Sequence, residues 1–548
     1  MSLINSKINL VNSVIVITGI TLLSIAAPVG AAVTLTQGTI NYNHGTVNLN
    51  PDHTLGSGGG SIPTTLPTLV LENEYIRVKV VPSYGARVIS LYYKPSGHEE
   101  LWADPNAVVM SMSSFYYNWL MVWGGIFPAW GAPEHGKYWF LPWDYSIVKQ
   151  TSDTVSIAMY MTDSIPWRPS YSSGHSAYGA TGIKCTFMVT LVSGMTGIAV
   201  DVTLVNPSAA SVGTEYWTCT TVSPGSVPTN LTLTDGAQMI MPCDTIIIVP
   251  GYDGLRAQET PVTGDWFLFN KLRWWKNWVE QGILYAYPKS NLWGIMNHTP
   301  ASPEAIMRIC DNKTTFSCKI WTCGYGGLPY WEPWAGISDQ FYHKATFAAG
   351  ETKAWHEFFS PSLGLDSVTH ASDDAMANLT TPKSKYDGSV DDSVRVTAQM
   401  FLTKPARQVH AVLTLDGGGL SQSLYDATVS PDSTKGNSAR VSIACKQVYN
   451  SATALTLKIT DLQGKQLLNA VKPLSFVNCA ATGVFMGVYP QGMVDRNYGK
   501  IAVYTVSGKC IGVCTDKAEL ESMALGYGTY LIRYSNGVMQ KYLRSASK

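Results

Sequence analysis

Two short stretches set titratable side chains inside dense aromatic sequence. "GGIFPAWGAPEHGKYWFLPWDY" (124–145) carries the Glu134–His135 step among Trp130, Trp139, Trp143, Tyr138 and Tyr145, with Lys137 its only lysine. "YWEPWAG" (330–336) sets Glu332 between Trp331 and Trp334. Histidine gives or takes a proton near neutrality. A carboxylate walled by indoles is desolvated, which raises its pKa and makes it a better base. Such a pair suits reactions in which one group removes a proton and another supplies one. Arg87 or Arg273 could neutralise an acidic substrate group such as a uronate carboxylate. Structural roles compete with each: His135 as a satisfied loop histidine, Glu332 as an arginine's partner in a sheet, Arg87 as the lock of its own turn. His298 and His356 fall in strand-like sequence. No His, Cys, Asp or Glu spacing matches a metal site, and neither metal nor cofactor is expected.

The aromatic residues point to a ligand class. All 17 tryptophans lie between Trp102 and Trp355. A pyranose presents axial C–H groups as an apolar face and hydroxyls as a polar rim, so its sites pair flat rings with a few fixed polar groups. Trp123 in "FYYNWLMVWGG", Trp275 in "RWWKNW", and Trp130, Trp217, Trp331, Trp334 and Tyr138 are the candidate platforms, with Arg273 beside them. Burial in a large sandwich and packing against a partner protein are the competing uses of these rings.

The elements that must position these residues read as strands. "EYIRVKVVPSYGARVISLYY" (74–93), "TVSIAMYM" (154–161), "IKCTFMVTLVSGMTGIAVDVTLVNPS" (183–208) and "KATFAAGETKAWHEFFSP" (344–361) alternate or run apolar between Gly, Pro, Asn and Ser breaks. "GDWFLFNKLRWWKNWVEQG" (264–282) is the clear helical candidate, with loop as its alternative. The expectation is an all-β chain.

At 548 residues, 45% hydrophobic and 14% charged, the chain can bury a large core in several domains. Its formal net charge is zero and it has no basic run, which argues against nucleic acid as a partner. Residues 1–32 read as a signal peptide, with Lys7 before the apolar run Val14–Ala27 and "VGAA" at the cleavage point; a retained anchor is the alternative. Residues 33–65 form a polar leader ending in the Gly/Ser tether "TLGSGGGSIPTT". The large β domain runs from 66 to 365, an exit helix and linker from 366 to 384, a small β-sandwich from 385 to 480, and a hairpin unit from 481 to 548. Ten cysteines fall in even numbers in these segments, as expected for disulfides within each in an exported protein.

"LENEYIRVKVVPSYGARVISLYYKPSGHEELW" (71–102), with its Gly85-Ala86-Arg87 turn, resembles the opening of galactose mutarotase-like domains. "VTLVNPSAASVGTEYWTCTTVSPG" (202–225) and "YWEPWAGISDQF" followed by "FAAGETKAWHEFFSPSLGL" are similar to their central and closing strands. The resemblance implies a β-supersandwich with a carbohydrate cleft on the concave face of one sheet. Aldose epimerases of that fold use a histidine as general acid and a late glutamate as general base, while polysaccharide lyases on related sandwiches abstract a proton beside a uronic carboxylate. His135 matches the His-Gly step and Glu332 the late carboxylate. "HGKYWF" departs from the epimerase pattern and points away from simple mutarotation.

The end of the chain resembles the C-terminal sorting domain of the type IX secretion system of Bacteroidetes-Fibrobacter bacteria. The matching residues are Val503, Tyr504, Gly508, Lys509, the step Gly528-Thr529-Tyr530, and Lys541 and Arg544. "YPQG" (489–492) replaces the usual Tyr-Pro-Asn-Pro opening, so a small fibronectin-like module is the alternative. The resemblance implies secretion machinery as a partner and an extracellular or cell-surface location. Together these readings describe an exported bacterial protein that binds a polysaccharide or oligosaccharide and cleaves it by lyase or hydrolase chemistry, with Glu332, His135 and Arg87 as catalytic candidates. A non-catalytic glycan-binding or adhesion protein, a sugar epimerase, and an envelope protein whose aromatics pack on a partner chain are the alternatives. The oligomeric state is not set by the sequence.

Overall fold

The computed structural model describes residues 32–49, 55–103, 124–131, 135–139, 141–166, 179–226, 233–255, 266–269, 271–288, 291–298, 303–322, 324, 330–405, 407–430, 437–445, 448–479, 501–505, 510–514, 528–533 and 539–544. Among them the chain is all-β, with a twelve-stranded and an eight-stranded sheet as the largest elements.

Side-chain alternation explains why these two sheets pack. In Ile198–Val205 every second residue is buried, and Lys184–Val192 and Ile76–Val81 show the same rhythm. Ile76, Val78 and Val80 of the larger sheet therefore meet Val189, Val200 and Val202 of the smaller one in a single core. Each such side chain contributes about 1.5–3 kcal/mol on burial.

Three segments fold differently from their sequence reading. The Gly/Ser tether is strand: Leu55–Glu72 pairs antiparallel with Thr34–Leu49, Gly58 opposite Val47. A backbone ladder needs no side chains, and beyond the glycines Leu69 and Leu71 enter the inter-sheet core while Tyr42 and Leu66 pack on the sheet's outer face. The exit helix is also strand. Asp373 and Asp374 occupy the turn closed by Ser372 and Ala375, and Ala375–Thr380 pairs with Ser393–Leu402. The helical candidate at 264–282 forms two 3-10 turns, Trp266–Leu268 and Trp275–Asn277, before the strand Trp278–Pro288. Its indoles are drawn inward: Trp266 Nε1 donates to the Met239 carbonyl at 3.1 Å and Trp278 Nε1 to that of Leu272 at 2.8 Å.

Two four-stranded sheets enclose a separate core of Leu379, Val396, Leu413 and Leu457. At the C-terminus, Ile501–Thr505, Cys510–Cys514, Gly528–Arg533 and Met539–Arg544 form one antiparallel sheet. The expected disulfides are not formed among the described cysteines. Cys185, Cys219, Cys243, Cys310 and Cys318 are buried thiols, facing packed surroundings as small hydrophobes. Cys445 and Cys479 are also buried thiols, close enough that each affects the other electrostatically. The signal-peptide residues and Cys323 lie outside the described residues.

A cluster of carboxyl groups and one histidine bridges the two large sheets at the strands His98–Leu101 and Pro303–Cys310. Glu100, on His98–Leu101, is fully buried and faces Glu304 on Pro303–Cys310. Ser96 donates to Glu304 Oε1 at 2.6 Å, and His98 Nδ1 contacts Oε2. Burial, then Glu304 and Glu99, push the Glu100 carboxyl well above the usual carboxylate range, while the contact with Glu304 raises His98. The folded chain thus holds a proton on Glu100 that the unfolded chain releases at lower pH. The resulting stability is complete below the unfolded value and is lost as pH rises through the folded one. Glu100→Gln mimics the protonated form and is expected to raise Tm relative to the parent at pH 8, with a smaller difference at pH 5. Thermal melts across that range check it, and a variant less stable than the parent at pH 8 would contradict a protonated Glu100.

Candidate functional site

On a strand, neighbours point to opposite faces. In Trp331–Gly336 this sends Trp331 and Ala335 into the inter-sheet core and leaves Glu332 and Trp334 on the outer face of the twelve-stranded sheet. Tyr216–Thr220 repeats the pattern, with Tyr216 inward and Trp217 and Cys219 outward. In Ser317–Thr322, Cys318 and Ile320 face the core, and Lys319 lies across the ladder from Trp334. The outer face thereby gathers Glu332, Cys219 and Lys319 from three strands.

Two glycine turns deliver Arg87 and His135 to this face. Gly85 has φ +70° and Ala86 φ +52°, and a Cβ at Gly85 would stand 1.9 Å from the Trp139 carbonyl oxygen. That close approach lets Arg87 Nη2 donate to Trp139 O at 2.9 Å while Nη1 donates to Gly124 O. The Arg87 guanidinium also lies over the Phe127 ring, 3.7 Å from its centroid. Gly136 has φ +78°, and a Cβ there would meet Trp130 N at 2.3 Å. His135 is turned into a nest of rings, with centroids 5.9 Å from Phe127, 5.7 Å from Trp139 and 5.4 Å from Trp334.

The cluster is enclosed rather than an open cleft: His135 is 2% and Glu332 1% exposed. Trp334 Nε1 donates to Glu332 Oε2 at 3.1 Å. Lys319 Nζ lies 4.4 Å from the centroid of Trp334 and 4.5 Å from that of Phe341. Burial, reinforced by Lys319 and Arg87, pushes the His135 imidazolium well below its ordinary range, so the ring is neutral. Burial, with the Glu332 charge adding to it, pushes the Cys219 thiol well up against the opposing pull of Lys319 and Arg87. Burial lowers Arg87 to about 10. Tyr42, from the leader hairpin, packs edge-on against Tyr84 at 5.5 Å and is pushed up to about 12 by burial.

The structure thus brings together Glu332, His135, Arg87, Trp334 and Trp217 of the sequence candidates, the last meeting Phe341 at 5.2 Å. It separates the others. Trp130, Tyr138, Trp275 and Trp331 belong to the inter-sheet core and cannot serve as platforms on the outer face. The Tyr138 hydroxyl donates to Asp163, which also pairs with Lys137. Arg273 donates to the Phe267 carbonyl and covers the Trp274 ring. His356 is held between Asp201 and Asp373. Trp123 lies outside the described residues. Every described tryptophan except Trp274 is buried, so core packing claims most of the tryptophan surplus.

Sequence reasoning missed Lys319, Cys219, Phe127 and Tyr42. Lys319 left one signal, as the lone charge in the apolar strand "SCKIWT". His135, Cys219 and Glu332 also bring ligand atoms within 4.8 Å of one another, a grouping that the sequence spacing did not show. They come from distant parts of the chain, which a spacing rule cannot see.

No family model and no curated protein matches the chain. Among solved structures, it is similar to a TPR-domain containing protein from Parabacteroides distasonis, at 18% identity and TM-score 0.47 over 62% of this chain and 56% of that one. The chain therefore spans little more than half of that protein's length. A galactose mutarotase-like protein from Lactobacillus casei is 13% identical at TM-score 0.34, covering 54% of this chain and 99% of its own. A galactose mutarotase-like protein from Clostridium acetobutylicum is 10% identical at TM-score 0.36, covering 54% and 95%.

Proposed function

We propose that the outer face of the twelve-stranded sheet binds a saccharide beside Glu332 and His135, with Glu332 as base and the neutral imidazole as its proton-exchanging counterpart. The observation that carries this reading is the convergence of a carboxylate, an imidazole and two cations with the rings of Phe127, Trp139 and Trp334. Ring faces suit the apolar side of a pyranose and the polar groups suit its hydroxyls or a uronate. The enclosure favours a single sugar unit, free or at a chain end, over a long groove of exposed indoles. Proton abstraction beside a uronic carboxylate and epimerisation at one carbon both need only this pair. A second reading, a glycan binder without turnover, is favoured by Arg87, whose terminal nitrogens are both committed to backbone carbonyls.

The same proposal places the chain outside the cytoplasm. It rests on the apolar run Val14–Ala27 before the small residues at 29–32, and on the sorting-like pattern at 503–544. Intact mass of the exported protein is expected to show a start at Ala32 or Val33; a retained Met1 would overturn the cleavage and leave the anchor, and recovery of the chain in the cytoplasmic fraction would overturn export.

Glu332→Gln is expected to abolish turnover on the productive member of a panel of uronic and neutral saccharides while sparing binding. Unsaturated-product absorbance, reducing ends and anomer exchange would follow the reaction. Unfolding of this variant would instead assign Glu332 to the sheet. Trp334→Ala should weaken saccharide binding by about 1–3 kcal/mol. Trp331→Ala should cost about 3–5 kcal/mol of stability through a core cavity and leave affinity unchanged. Calorimetric titration and denaturant melts separate the two, and equal effects on affinity would place the ligand elsewhere.

A further inference from the structure

We infer that His135, Cys219 and Glu332 form a three-ligand site for a thiophilic divalent transition-metal ion of the zinc class. Their ligand atoms, from a loop and two strands, all lie within 4.8 Å of one another and all three residues are buried. Around a tetrahedral ion with bonds of about 2.0–2.3 Å, ligand atoms stand roughly 3.3–3.8 Å apart. Side-chain rotations of about 1 Å close that gap. One nitrogen, one sulfur and one oxygen donor select zinc or cobalt over magnesium and calcium, which take oxygen ligands.

The surroundings prepare each donor. The rings of Phe127, Trp139 and Trp334 surround the His135 imidazole and fix its orientation beside Cys219 and Glu332. Trp334 Nε1 holds Glu332 Oε2, orienting the carboxylate so that Oε1 can turn to the ion. Cys219 enters as a thiol. On binding, its S–H bond breaks, the metal–sulfur bond forms and one proton passes to solvent. Arg87 and Lys319 oppose a bare dication, but thiolate and carboxylate together cancel its two charges, so these cations face a neutral unit. Three protein ligands leave a fourth position open, as in catalytic rather than structural zinc sites.

This inference does not depend on the saccharide reading, and a bound ion would occupy the lone pairs that the acid–base roles require. The test uses the full chain carrying Cys510→Ser and Cys514→Ser, which removes the two C-terminal cysteines as competing ligands, and titrates it with Co²⁺ and then Zn²⁺. Expected are one ion per chain, a thiolate-to-cobalt absorption band in the near ultraviolet, release of one proton per ion, and displacement by Zn²⁺. Adding Cys219→Ser should abolish the band and weaken binding roughly 100-fold, while Glu332→Gln should weaken binding and keep the band. Absence of stoichiometric uptake, or a Cys219→Ser titration like the parent's, overturns the site. Should Cys219→Ser fail to fold by circular dichroism, unchanged affinity in both His135→Gln and Glu332→Gln overturns it. Saccharide binding is measured separately in chelator, so loss of either property leaves the other readable.

Discussion

The Arg87 guanidinium is the contact on which the candidate site depends. It ties the start of the strand Arg87–Tyr93 to the carbonyls of Gly124 and Trp139 and lies on the face of Phe127, thereby joining the segments on either side of His135. A buried guanidinium costs several kcal/mol in lost hydration unless its donors are met. Two carbonyls and an aromatic face offset part of that cost, while Nε is buried without a hydrogen-bond partner and burial still lowers the group to about 10. Removing this one cation would therefore loosen the turn at Gly85, the Phe127 ring and the Trp139 backbone together.

Lys319 follows the same logic on the opposite side. Its ammonium rests over Trp334 and Phe341, so the indole that orients Glu332 through its N–H also receives a cation on its ring. Ring faces are negative and ring edges positive, so one indole can serve both charges at once. The dense aromatic sequence of 124–145 and 330–336 thus has two uses. On the inner face it fills the sandwich, and on the outer face it makes burial of Arg87, Lys319, His135 and Glu332 sustainable.

Period-two alternation and regular turn signals made the sheet character legible in the sequence, and the strands Ile76–Val81, Lys184–Val192 and Ile198–Val205 lie within stretches that the pattern marks. Glu332, His135 and Arg87 were legible because each stands beside a recognisable aromatic or glycine step. What was hidden had no local mark. Trp331 and Trp334 look equivalent in sequence, yet residues three apart on a strand face opposite ways, and only pairing with neighbouring strands decides which face is the core. Cys219 and Lys319 join the cluster through the register of Tyr216–Thr220 and Ser317–Thr322, a tertiary property. The glycine run at 56–60 misled for a related reason, since conformational freedom in an isolated segment says nothing about a partner strand that restrains it.

That last case bears on the site itself. The leader hairpin is one arm of the large sheet, and its Tyr42 reaches the outer-face cluster at Tyr84, the ring on which Arg87 also leans at 5.5 Å. Thr34–Leu49 has Leu55–Glu72 as its one partner in the sheet order, so it is held by a single ladder and by the side chains it lays on its neighbours. An edge element secured in this way opens at lower free energy than the central strands that carry Cys219 and Glu332. Opening of this edge strand would uncover Tyr84 on one side of the cluster, whereas Glu332 sits on a strand paired on both sides, so ligand entry by that route would leave the carboxylate in place.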